Sequence, residues 1–163
     1  CVMTPGHTPG HMCLYDRESK ILFSGDHVLF GISPNITSWR TMTDSLGAYL
    51  ESLKKIKKLE IDRTFSSHRV IEGDIYNRTD QLLEHHAERL NEAKGIVNAK
   101  KSATVYQTAA EMTWSIRAKD WNTFPVAQKW FALGETHSHL EHLRVKNVLK
   151  QETKNGLLYY SPV

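Results

Sequence analysis

The chain has 163 residues, 40% of them hydrophobic and 24% charged, which suits one large or two small globular domains and excludes a disordered or fibrous chain. No apolar run reaches membrane-helix length, and a net charge of +3 with nine histidines counted neutral is too slight to argue for nucleic acid by itself. Cys1 and Cys13 make neither a disulfide framework nor a C-x-x-C metal motif, so a reducing, cytoplasmic setting is expected.

The first stretch, Thr4-Pro5-Gly6-His7-Thr8-Pro9-Gly10-His11, predicts a rigid turn with an imidazole at its corner. Proline fixes φ and glycine admits close backbone approach, and a rigid corner suits a metal ligand. His11 to Tyr15 and Ile21 to Ser24 flank the polar Asp16-Arg17-Glu18-Ser19 and read as an antiparallel hairpin. The second strand ends in Gly25-Asp26-His27, which puts a carboxylate at a strand end. His11 and His27 are read as structural or as hydrogen-bonding supports of neighbouring groups. Residues 28–44 form a long irregular loop containing Trp39, either a wall of the substrate site or a surface loop with an anchoring tryptophan.

From Ser45, the spacing of Leu46, Tyr49, Leu50, Leu53 and Ile56 predicts a packing helix with Lys54, Lys55, Lys57 and Lys58 opposite. Arg63 to Ser67 is a second short strand, delivering His68. A long helix over about 79–98 follows, carrying His85 and His86, which point about 100° apart and are not expected to share a metal. Past Lys100-Lys101-Ser102 the pattern changes to helices at 104–114, 125–131 and 135–146. Strands at 148–152 and 157–160 then join across Asn155-Gly156, a strong hairpin signal. Helices followed by a hairpin read as a winged helix.

The ordered set T-P-G-H-T-P-G-H, an apolar strand ending S-G-D-H, a helix, and a strand ending S-S-H-R resembles the C-terminal half of a metallo-β-lactamase-fold hydrolase of the glyoxalase II type, over roughly residues 1 to 95. The run A-L-G-E-T-H-S-H-L-E-H-L with its hairpin resembles the winged-helix tail of one branch of these hydrolases. The resemblance implies an α/β (α+β) chain: a partial αββα half over residues 1–99, then a small winged-helix domain over 100–163. It also implies that His7 and His68 each ligate one metal and that Asp26 bridges two, serving as both ligand and catalytic residue. Two zinc ions are expected in the intact protein, although iron or manganese suits the same ligands. They would activate a water against an ester, thioester or similar bond of a small-molecule substrate.

The family's H-x-H-x-D-H signature would lie upstream of His7, so the chain is expected to be a fragment, inactive and weak in metal binding. Half a sandwich bares a sheet face and an edge, which predicts self-association. His137-Ser138-His139-Leu140-Glu141-His142 matches H-x-H-x-[DE]-H, yet its leucines stand at helical spacing. It is read as a coincidence on a helix, with circular permutation as the alternative. A nucleic-acid role for the tail is the second functional reading. It is not favoured, because Glu135, Glu141, Arg144 and Lys146 make a balanced face rather than a basic one.

Overall fold

Cys13 and Leu22 are fully buried while their chain neighbours Leu14 and Phe23 are half exposed, the alternation that a pleated strand imposes. The structure is a computed structural model, and it describes residues 1–116 and 118–163. It divides into two units, Cys1–Ala87 and Glu88–Val163.

In the first unit β1 (Val2–Met3), β2 (Met12–Asp16), β3 (Ile21–Gly25) and β4 (Arg63–Ser66) form one sheet in the order β1-β2-β3-β4. β1 with β2 and β2 with β3 are antiparallel, whereas β3 and β4 run parallel with Phe23 opposite Phe65. A parallel pair needs a crossover, and α1 (Ser45–Ile56) lies in it. The Asp44 side chain caps α1 by accepting from the Gly47 N–H at 2.7 Å. Its expected stripe is buried at Leu46, Tyr49, Leu53 and Ile56, while Leu50 is half-buried. The opposite sheet face carries Met3, Met12, Leu14 and Phe23, exposed by 48%, 46%, 53% and 50%. Paired positions share a face, so these side chains form a continuous apolar surface with Phe65 stacked on Phe23 at 5.4 Å.

The long helix α2 (Ile75–Lys100) begins four residues earlier than the spacing predicts. Asp74 explains the difference, because its Oδ1 accepts from the N–H groups of Tyr76 and Asn77 and starts the helix before the apolar periodicity is visible.

The second unit holds the end of α2, β5 (Ala103–Thr104), α3 (Val105–Glu111), α4 (Val126–Val145), β6 (Leu149–Lys154) and β7 (Leu157–Pro162), with sheet order β5-β7-β6. Thr104 and Gln107 make a capping box that starts α3. The helices expected at 125–131 and 135–146 are one continuous helix, α4. Gly134 does not break it: a mid-helix glycine costs only about 1 kcal/mol, and Ala132, Thr136 and Leu140 on either side are buried. The β6–β7 hairpin turns at Asn155-Gly156, with φ of 50° and 77°, as a two-residue type I′ connection requires. Its core gathers Val97, Met112, Leu140, Leu143, Leu149 and Tyr160. Among the described residues, no helix is long and apolar enough to cross a membrane.

Candidate metal centre

Gly6 brings His7 to its place. Its φ is +141°, and a Cβ there would stand 2.4 Å from the Tyr49 Cβ, so only glycine lets the turn lie against α1. Two more contacts fasten this stretch to α1: the Ser52 hydroxyl donates to the Pro5 carbonyl at 3.0 Å and the Lys55 ammonium to that of Met3 at 2.6 Å. Tyr49 also fixes the other side of the site, because its hydroxyl donates to the His27 carbonyl at 2.9 Å, directly after Asp26. Asp26 itself leaves the end of β3, where the β3–β4 register shifts between Phe23 and Gly25. His68 leaves the end of the neighbouring β4, in a loop closed by the Ser66 N–H on the Ile71 carbonyl at 2.8 Å.

The three expected residues therefore converge. His7 Nε2 stands 3.7 Å from Asp26 Oδ2, and His68 Nε2 stands 3.1 Å from Asp26 Oδ1. The second contact has ion-pair distance without hydrogen-bond alignment, since Asp26 Oδ1 is buried with no hydrogen-bond partner among the described residues. His7 Nδ1 lies 2.9 Å from the Asn35 carbonyl. A carbonyl can only accept, so Nδ1 carries a proton, and Nε2, whose lone pair is free when the ring is neutral, faces Asp26. An imidazole lone pair and carboxylate oxygens turned toward one another form an electron-rich cluster, stable with a proton or a cation between them. This donor set suits a divalent ion such as zinc.

No single ion is fully enclosed. Among the described residues no group of three or more His, Cys, Asp or Glu side chains is arranged to hold one metal. The geometry is instead two pairs sharing Asp26: His7 with Asp26, and Asp26 with His68.

The other histidines have different neighbours. His11 Nδ1 pairs with the Thr4 hydroxyl at 2.8 Å, the supporting hydrogen bond expected of it. Burial first, and then the neighbouring His7, pushes its pKa below the usual imidazole range. His27 is fully buried, and among the described residues neither ring nitrogen has a hydrogen-bond partner. It packs instead against the rings of His11 and Tyr49, and burial lowers its pKa to about 3. His86 packs on Tyr49 at 5.4 Å. Sequence reasoning missed the Asn35 carbonyl, because a backbone acceptor 28 residues away from His7 leaves no mark in residue type.

His137, His139 and Glu141 lie on α4 as helical residues. His139 Nδ1 bonds the Glu135 carbonyl at 2.7 Å. Glu141 accepts from Tyr160 at 2.6 Å and from Arg144 at 2.9 Å. The H-x-H-x-E-H run thus makes internal contacts of its own unit, on a helix that turns its members to different sides. Arg144, one of the two basic residues that the less favoured nucleic-acid reading would draw on, pairs with Glu141.

Residues 2–68 match the model of the metallo-beta-lactamase superfamily. The chain is 28% identical over 132 residues to the beta-lactamase-like protein 2 homolog of Caenorhabditis elegans, covering 78% of this chain and 42% of that protein. It is 32% identical over 87 residues to the lactamase-like protein nscB of Neosartorya fischeri, covering 52% and 24%. Among solved structures, a beta-lactamase domain protein from Burkholderia ambifaria superposes with a TM-score of 0.86 at 29% identity, over 99% of this chain and 47% of that one. A metallo-beta-lactamase family protein from Thermus thermophilus gives 0.79 at 27%, over 98% and 48%. The chain thus spans less than half the length of each of these proteins.

Proposed function

From the premise that this chain has the fold of the metallo-β-lactamase superfamily, we propose that it supplies half of a dinuclear metal centre in a metal-dependent hydrolase. The observation that carries this reading is Asp26, whose two oxygens face two imidazole nitrogens from separate elements. His7 and Asp26 would hold one ion, and Asp26 and His68 the other. Zinc there would lower the pKa of a coordinated water toward neutrality and polarise an ester or thioester carbonyl. The chain's own residues do the positioning: Asn35 fixes the tautomer of His7, Tyr49 spaces the His7 turn from the Asp26 strand end, and Asp26 joins the two half-sites.

A catalytic zinc takes about three protein ligands, and each half-site here has two. The remaining ligands, and the substrate pocket, would come from outside these 163 residues. That agrees with the share of the relatives' length that the chain spans. The second unit, with α3, α4 and the β6–β7 hairpin, is read as a winged-helix-like appendage over about 100–163.

Zinc content after dialysis, with a thioester hydrolysis assay, tests the proposal. Substoichiometric, exchangeable zinc and no turnover are expected of this chain. Stoichiometric retained zinc, or turnover by this chain alone, would overturn the half-centre.

A further inference from the structure

The loop between β3 and α1 is tied to His7 at two points. The Asn35 carbonyl takes the ring Nδ1–H at 2.9 Å. Four residues on, the Trp39 indole Nε1–H donates to the His7 backbone carbonyl at 2.9 Å. Trp39 is itself moored to α1, its backbone N–H donating to the Ser45 hydroxyl at 3.2 Å, and the Met42 N–H closes a turn on its carbonyl at 3.0 Å. Ser45 is buried at the first residue of α1, so the mooring point is a packed helix end rather than a free loop.

The Asn35 bond fixes the ring, and the Trp39 bond fixes the His7 carbonyl, on the other side of His7 along the chain from the contacts that Gly6 and Pro5 make with α1. Trp39 is therefore placed to keep the Asn35 carbonyl and the His7 ring in register. An indole N–H donates only and has no charge to gain or lose in the working pH range, so its contribution is geometric. We propose, resting on the metal-centre reading above, that Trp39 is a positioning residue. Its indole N–H locks the His7 backbone so that Asn35 holds the Nδ1–H tautomer and Nε2 stays aimed at the metal position beside Asp26. Supporting partners of this kind change metal affinity by about 10- to 100-fold when removed.

The test uses the full chain and Trp39→Phe, which keeps an aromatic ring and deletes the donor. Without metal, nitrogen-15 spectra report directly which ring nitrogen of His7 carries the proton. Wild type should show Nδ1–H alone, and Trp39→Phe a mixture of both tautomers. With cobalt(II), affinity should fall about tenfold or more in the variant, while Trp130→Phe, at an exposed position of the other unit, changes neither readout. Hydrogen exchange in wild type is independent of whether the variant folds: the Trp39 indole N–H should exchange more slowly than that of Trp130, although both rings are exposed. An unchanged His7 tautomer and a cobalt affinity within about twofold in Trp39→Phe would overturn the proposal, as would equal exchange of the two indoles. If wild type binds no cobalt while the tautomer still shifts in Trp39→Phe, the metal reading fails and the positioning role stands.

Discussion

The site rests on contacts that single atoms decide. At Gly6, φ is +141° and a Cβ would stand 2.4 Å from Tyr49 Cβ, so Gly6→Ala meets both backbone strain and a clash with helix backbone. Each effect costs roughly 1–3 kcal/mol. A chemical denaturation midpoint should register a loss of about 3 kcal/mol, and a loss below about 1 kcal/mol would show that the turn is not pressed against α1. Tyr49→Phe removes only the hydroxyl that holds the His27 carbonyl. It should lower stability by about 1 kcal/mol and weaken cobalt(II) binding, because the strand end carrying Asp26 loses its tether. Unaltered cobalt affinity in that variant would mean that Tyr49 does not govern the spacing of His7 and Asp26.

At the scale of elements, Arg89 on α2 organises the second unit. Its Nη1 donates to Glu92 at 2.5 Å and to the Thr113 carbonyl at 2.7 Å, its Nε to Glu135 at 3.3 Å, and its guanidinium lies over the Trp114 ring at 4.2 Å. Arg89 is 7% exposed while Glu92 and Glu135 are half-buried, so Arg89→Ala would remove a buried guanidinium that joins two partly screened carboxylates, and should cost about 2–3 kcal/mol in a thermal or denaturant melt. The same unit should be acid-sensitive. Burial lowers the pKa of His137. Burial alone would raise that of Glu141, but Arg144 and Tyr160 outweigh it and hold the carboxyl below its usual range. Unfolded, these groups take up protons near their ordinary values of 6.5 and 4.5; folded, they do so only at lower pH. Stability is therefore full above about pH 6.5 and declines as the pH falls, and Glu141→Gln with His137→Gln should flatten the decline. The elements also show what was legible in the sequence. The hairpin, α1, β4 and the Asn155-Gly156 turn follow from local spacing and turn chemistry, and the convergence of His7, Asp26 and His68 from a proline-glycine turn and two strand ends whose order carries the family resemblance. The early start of α2 and the continuity of α4 were hidden, because an Asp74 cap and the packing around Gly134 override the apolar period. The Arg89 network was hidden for another reason: its partners are scattered along the chain, and only the fold brings them together.

For the molecule as a whole, the apolar sheet face of Met3, Met12, Leu14 and Phe23 is expected to drive association with a second copy, since contiguous exposed apolar surface favours burial. Sedimentation should show a concentration-dependent dimer or higher species that Leu14→Lys with Phe23→Lys turns into a monomer. A wild-type monomer at all concentrations would contradict that expectation. The candidate metal centre lies at the rim of the same sheet, where β3 and β4 end and the Asp26 carboxylate faces two imidazoles. Its most direct test is a cobalt(II) titration of the full chain, followed by visible absorption, alongside Asp26→Asn. Weak, saturable binding that the Asp26→Asn substitution abolishes is the predicted result, and binding of the same strength in Asp26→Asn as in wild type would contradict it.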